Sequence, residues 1–149
     1  MSQYAELMVA SNYSFLRGAS HPEELVATAA LLGTRALAIT DRDSVSGIVR
    51  GHSAAKAVGL QYIPAARLDL MDELSLLVYP TTLNAYGQLC QLLSRGKQRA
   101  PKGECQLWLD DVLADGVCDE WRVIVLSPPD LTEVFRKVLG QIVARMPER

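Results

Sequence analysis

Along this 149-residue chain, short apolar runs alternate with longer stretches whose apolar positions recur at helical spacing, which predicts strands and helices in turn. Residues 6–9 form a short strand candidate. The string SHPEE at 20–24 opens a helix, because Ser20 and Glu23 have capping-box spacing and Pro22 suits a first turn. That helix runs to Leu32 and stops at Gly33. Residues 36–40 are an apolar run of the kind used by buried parallel strands, followed by the polar turn 41–44. A second helix over 46–58 closes at Gly59. The next strand covers 61–63 and, in its longest reading, continues through Leu70. Residues 74–79 alternate weakly and are halted by Pro80. Tyr86, Leu89, Leu92 and Leu93 place a helix over 83–93. Residues 121–126 read as a strand before Pro128 and Pro129. Asp130 and Glu133 repeat the capping spacing ahead of a last amphipathic helix with Val134, Val138, Leu139, Ile142 and Val143 on its apolar face.

Strand and helix units joined by short links imply an α/β fold with a parallel sheet and right-handed crossovers. Sites in such folds lie at the carboxyl ends of the strands. Ala10, Asp41, Arg42 and Arg67 each end or follow an expected strand, which places them at one rim.

The length fits a single domain over 1–149, able to bury about two thirds of its unfolded surface. No apolar run approaches the ~20 residues that span a bilayer. The opening MSQYAELMVA lacks the basic segment and apolar core of a signal peptide, so a cytoplasmic protein with no membrane partner is expected. Cys90, Cys105 and Cys118 are odd in number and widely spaced, which reads as reduced thiols. A formal net charge of −2 lacks the broad basic footprint of a nucleic-acid-binding domain. The local exception is RGKQRAPK, where Arg95, Lys97, Arg99 and Lys102 fall within one acid-free stretch. It is read as part of a basic loop over 95–104, either merely solvated or meeting DNA phosphates or an acidic partner surface. No aromatic residues interleave those charges, so base stacking has no support. His21 and His52 lack a second ligand at metal spacing, and Trp108 and Trp121 read as packing residues. With no GxGxxG or P-loop, no nucleotide cofactor is expected.

Three segments carry a resemblance. YAELMVASNYSFLRG at 4–18 matches, at Ser11, Tyr13, Ser14, Leu16 and Gly18, the frame that follows a His-x-His pair in PHP (polymerase and histidinol phosphatase) domains. ITDRDSVSG at 39–47 resembles the Thr-Asp-His motif at Thr40, Asp41 and Gly47. IPAARLDL at 63–70 resembles the strand that leads to Gly-x-Glu. Within that superfamily the wording is most similar to the N-terminal domain of error-prone, alpha-subunit-like bacterial C-family DNA polymerases, through FLRGASHPEEL, AAK-x-x-GL, LL-x-YPT and RGK-x-x-A-x-KGEC in that order. The resemblance implies the first half of a distorted seven-stranded TIM-like barrel, so that 1–149 would be a truncated PHP-like domain.

The residue types that bind metal in that family are missing here. Met8 and Ala10 stand at the His-x-His positions, Arg17 at an aspartate, Arg42 at the histidine of the second motif, and Ala65, Ala66 and Arg67 at Gly-x-Glu. A further family histidine falls near Ser75. Metals in such sites need convergent imidazoles and carboxylates, and only Asp41 keeps ligand chemistry. A guanidinium 4 Å from a cation costs on the order of 4 kcal/mol per unit charge at an effective dielectric of ~20. No metal and no cofactor are therefore expected. Arg17, Arg42 and Arg67 would either form a phosphate-binding cluster or pair with Glu6, Asp41, Asp43 and Asp69. Ser11 and Ser14 have no histidine base nearby and are not read as nucleophiles.

The resemblance implies a non-catalytic accessory part of an error-prone DNA polymerase, engaged in damage-tolerant synthesis and DNA repair. Its partners would be the rest of the polymerase chain, DNA through the full-length enzyme, and proteins of a mutagenic repair complex. Open sheet edges add a homodimer of the chain as an expectation. A stand-alone PHP-type metal-dependent phosphoesterase and a PHP-derived interaction domain remain as alternatives.

Overall fold

A computed structural model describes residues 4–114 and 120–146. Cys118 lies outside the described residues. The chain divides into two compact units, residues 1–67 and 68–149. In sequence order the elements of the first unit are β1 (Ala5–Val9), α1 (Pro22–Leu31), β2 (Ala36–Ile39), α2 (Ile48–Val58) and β3 (Gln61–Pro64). β4 (Ala66–Asp69) holds the division point, and β5 (Ser75–Pro80), α3 (Leu83–Arg99), α4 (Leu109–Leu113), β6 (Trp121–Leu126) and α5 (Glu133–Arg145) follow.

In the first unit the expected βα alternation gives a parallel sheet of order β1-β2-β3. β2 is buried along its whole length, lying between β1 and β3 with α1 packed beside it, and its run ALAI is apolar at every position accordingly. Val26, Ala29, Leu37, Ile39 and Ala55 form the buried cluster, with Val9, Leu25, Leu60 and Tyr62 packed against it. Each fully buried Leu, Ile or Val there contributes about 1.5–3 kcal/mol of transfer free energy. α1 begins one residue later than its sequence suggests. Proline at the first helical position requires the cap to be the residue before it, so His21 is the N-cap and Glu24, not Glu23, reaches back to accept its backbone N–H at 2.7 Å. α2 ends at Gly59, whose φ of 70° is left-handed and costs glycine little.

The single strand expected over 61–70 is two strands, β3 and β4, which belong to different sheets. The second sheet has order β4-β5-β6, and here the expectation of a uniformly parallel sheet is corrected: β5 and β6 pair antiparallel, from Ser75 with Leu126 to Pro80 with Trp121. An apolar run shows that a strand is buried but not which way it points, and two helices rather than one intervene between these strands. Trp121 is fully buried and its indole N–H donates to the Ala85 carbonyl at 2.9 Å. α3 is longer than its apolar spacing predicts and carries residues 95–99 as helix, so Arg95, Lys97 and Arg99 stand on a helical end while Lys102 lies in the turn that follows. Thr132, not Asp130, caps α5, its hydroxyl accepting the Phe135 N–H at 3.1 Å. Of the five apolar residues expected inward on α5, Ile142 is buried while Val134 and Val143 are mostly exposed.

Candidate functional site

Asp41 sits just beyond the carboxyl end of β2, in the first unit, and is 2% exposed. A buried carboxylate needs donors, and the segment after β1 supplies three. Ser11 donates its backbone N–H to Oδ1 at 2.8 Å and its hydroxyl to Oδ2 at 2.6 Å, while the Ser14 hydroxyl donates to Oδ1 at 2.6 Å. Ser14 Oγ in turn accepts the Arg42 backbone N–H at 2.9 Å, and Ser11 Oγ accepts that of Tyr13 at 3.2 Å. Both serines are buried. The segment that carries them folds back tightly: Asn12 N–H donates to Ser20 O, Gly18 N–H to Ser14 O, and Leu16 adopts a left-handed φ of 60°. A Cβ on Gly18 would lie 2.3 Å from the Ser11 carbonyl oxygen, so only glycine fits. The Asn12 side-chain amide reaches His21 Nδ1 at 3.1 Å, which ties the loop to the α1 cap.

Arg42 and Arg67 form an isolated parallel bridge that continues the β2-β3 register beyond the two strands. Arg67 N–H donates to the Asp41 carbonyl at 3.1 Å, and Asp43 N–H to that of Arg67 at 2.7 Å. Arg42 also meets the Asp43 carboxylate at 3.7 Å. Arg17 is exposed on the loop, its backbone N–H donating to Ser14 O. Met8 is half exposed and Ala10 exposed. Glu6 is not an arginine's partner in the described contacts: it accepts the Tyr4 hydroxyl at 2.5 Å and the Met8 N–H at 3.1 Å. The Tyr4 hydrogen bond first, and the Met8 amide second, hold the Glu6 carboxyl below the usual range despite its partial burial. Asp69, in the second unit, accepts the Ser75 hydroxyl at 2.7 Å.

The donor set does not fit a metal ion. Asp41 is the one carboxylate at the matched positions, and both of its oxygens already accept hydrogen bonds from protein donors. Among the described residues no three His, Cys, Asp or Glu side chains converge. The spacing of Ser11 and Ser14 on one loop, opposite a lone aspartate, is the signal that sequence reasoning passed over. It treated the serines as failed nucleophiles when their chemistry is that of donors.

In the second unit the basic stretch divides. Arg99 grips Asp111 with two hydrogen bonds from Nη1, at 2.9 and 2.7 Å, and lies 5.8 Å from the centre of the Trp108 ring. Burial raises the Asp111 pKa, but Arg99 and the Trp108 N–H lower it more, so the carboxyl stays below its ordinary value. Arg95, Lys97 and Lys102 are exposed.

A family model for the PHP domain matches residues 6–141. The chain is 51% identical over 133 residues to error-prone DNA polymerase 2 of Rhizobium meliloti, covering 88% of this chain and 12% of that protein. It is 52% identical over 127 residues to the error-prone DNA polymerase of Caulobacter vibrioides, covering 85% and 11%. The chain thus spans about a tenth of the length of the curated relatives it matches. Among solved structures, one from Bifidobacterium adolescentis assigned as a metal-dependent phosphoesterase superposes with a TM-score of 0.55 at 20% identity, covering 66% of this chain and 34% of that one. An amidohydrolase from Chromobacterium violaceum gives 0.53 at 21%, covering 63% and 33%. Both support the fold. With the family frame matched across nearly its whole length and about half its residues shared with error-prone DNA polymerases, this chain belongs to the PHP domain family.

Proposed function

We propose that the chain is the PHP-like domain of an error-prone DNA polymerase and acts there as a non-catalytic scaffold. One observation carries the second half of the reading: the only ligand-type carboxylate at the matched positions, Asp41, is spent on Ser11 and Ser14. Hydrolysis of a phosphoester by a metal pair needs several free carboxylates and imidazoles, whereas here the same geometry staples the loop after β1 to the end of β2. The rim then becomes a rigid surface against which the rest of the polymerase chain can rest. On this reading the domain is the first half of a TIM-like barrel, it works in the bacterial cytoplasm in DNA repair synthesis, and proteins of a mutagenic repair complex belong to its surroundings. Arg42 pairs with Asp43, and Arg67 is joined to the same segment through backbone hydrogen bonds; on this reading Arg17, Arg42 and Arg67 serve a local ion-pair network or bind a phosphate.

The test combines metal analysis with trans-complementation. The purified chain is expected to hold no stoichiometric zinc, manganese or iron, to leave a generic phosphoester intact, and to bind a polymerase body expressed without its PHP domain. Stoichiometric metal with hydrolysis would make it a phosphoesterase. Light scattering across concentrations decides between a monomer and the homodimer expected from open strand edges.

A further inference from the structure

We propose that the solvent-facing ridge of α3 and the turn after it contact the phosphodiester backbone of duplex DNA through Arg95, Lys97 and Lys102, with Gln91 and Gln98 as the hydrogen-bonding floor. The choice of DNA as the ligand rests on the polymerase reading; the surface itself is argued from charge and helix geometry. Of the four basic residues in the stretch, Arg99 is withdrawn by its two hydrogen bonds to Asp111 and its place over Trp108. Arg95, Lys97 and Lys102 make no hydrogen bond or ion pair with a described residue. Lys97 and Lys102 have no carboxylate partner among the described residues, and Arg95 feels only Asp111, a carboxylate already held by Arg99, so these exposed cations gain from an external polyanion.

The side chains are spaced for an extended anion rather than a point charge. At about 100° per residue, Gln91 and Gln98 fall within about 20° of each other on the helix, Arg95 lies about 60° to one side and Lys97 about 100° to the other. An open groove of about 400 Å³ runs along this face, lined by Cys90, Gln91, Ser94, Arg95 and Gln98. From Gln91 to Gln98 the ridge is about 10 Å long, the span of about three phosphates on one duplex strand. The partly exposed aromatic beside the stretch, Trp108, already has the Arg99 guanidinium over its ring, so the amides and cations of the ridge suit backbone contact rather than base stacking. Gly96 on the opposite face lets the helix sit close to Cys105 and Leu107, so the ridge is held on a rigid support.

The 149-residue chain is titrated with a short mixed-sequence duplex in an NMR experiment, at several sodium chloride concentrations. Expected are shift changes at Gln91, Arg95, Lys97, Gln98 and Lys102, independence of sequence, and a log–log salt slope approaching about −2.7 for three phosphates. The triple variant R95Q/K97Q/K102Q is expected to lose at least tenfold in affinity and most of the slope, with an unchanged circular dichroism spectrum; R99Q, which touches the buried-side clamp, serves as the comparison and keeps the slope. No shift changes at the ridge, or changes that survive in the triple variant, would overturn the proposal. So would equal or stronger binding of a polyglutamate peptide, which would assign the ridge to an acidic protein. A chain that binds duplex as expected yet fails to bind the polymerase body would sink the scaffold reading while leaving this one standing.

Discussion

Replacing Ser14 with alanine removes a donor from a buried carboxylate and strands a neighbouring amide at the same time. The lost hydroxyl bond to Asp41 is 2.6 Å long and has a charged acceptor, and such bonds contribute about 1.5–3 kcal/mol. The Arg42 N–H loses its acceptor as well, which adds about 1 kcal/mol. Ser14→Ala should therefore cost about 3 kcal/mol, or roughly 6–12 °C in Tm for a chain of this size. Urea and thermal unfolding followed by far-UV circular dichroism measure it. Trp108 and Trp121 both lie in the second unit, so tryptophan fluorescence supplies a separate report from there. Ser11→Ala keeps the backbone donor to Asp41 and loses only the hydroxyl bond and the acceptor for Tyr13. Because both serines serve one carboxylate, the double variant should depart from additivity by at least about 0.5 kcal/mol. A Ser14→Ala protein within about 0.5 kcal/mol of its parent, or strict additivity of the two serines, would refute the claim that Asp41 is a structural latch.

Three other outcomes follow from the same geometry. Zinc or manganese added at millimolar concentration should leave Tm unchanged, since a site holding metal at a hundred times its Kd would gain about 2.7 kcal/mol; a saturable rise in differential scanning calorimetry would contradict the reading of Asp41. Gly18→Ala drives a Cβ into the Ser11 and Ala10 carbonyl oxygens and should cost about 3 kcal/mol, whereas Gly87→Ala in α3, with nothing within 4 Å of its added carbon, should stabilise by about 0.5–1 kcal/mol; denaturant midpoints that failed to separate the two would count against the close packing of the loop. For Asp111, whose folded pKa is depressed, the stability from Arg99 is present above the ordinary aspartate value near ~4 and is lost as pH falls through the lower folded value. With Arg99 41% exposed, Asp111→Asn should cost only about 1 kcal/mol at neutral pH, and the gap between variant and parent in urea titrations should close in acid; a gap that widened there would reverse the assignment.

The βα order of the first unit was legible in the chain because burial on both faces of a parallel strand writes a continuous apolar run, as in ALAI at 36–39, and because Gly59 and Pro22 punctuate the helices. The absence of ligand chemistry at Met8, Ala10, Arg17, Arg42 and Arg67 was equally plain from residue type. Strand direction was not legible: the six residues of β6 would read the same in either orientation, and long-range pairing with β5 decides it. Nor could the sequence show that Glu6 turns to Tyr4, that Arg99 leaves the basic stretch for Asp111, or that Ser11 and Ser14 converge on Asp41. Those partners lie within reach only after the backbone has folded, and a charged or polar side chain commits to whichever neighbour desolvation then leaves it. Residue types determined which of these positions lack ligand chemistry; tertiary contacts alone decided which donors the remaining carboxylate, Asp41, accepts.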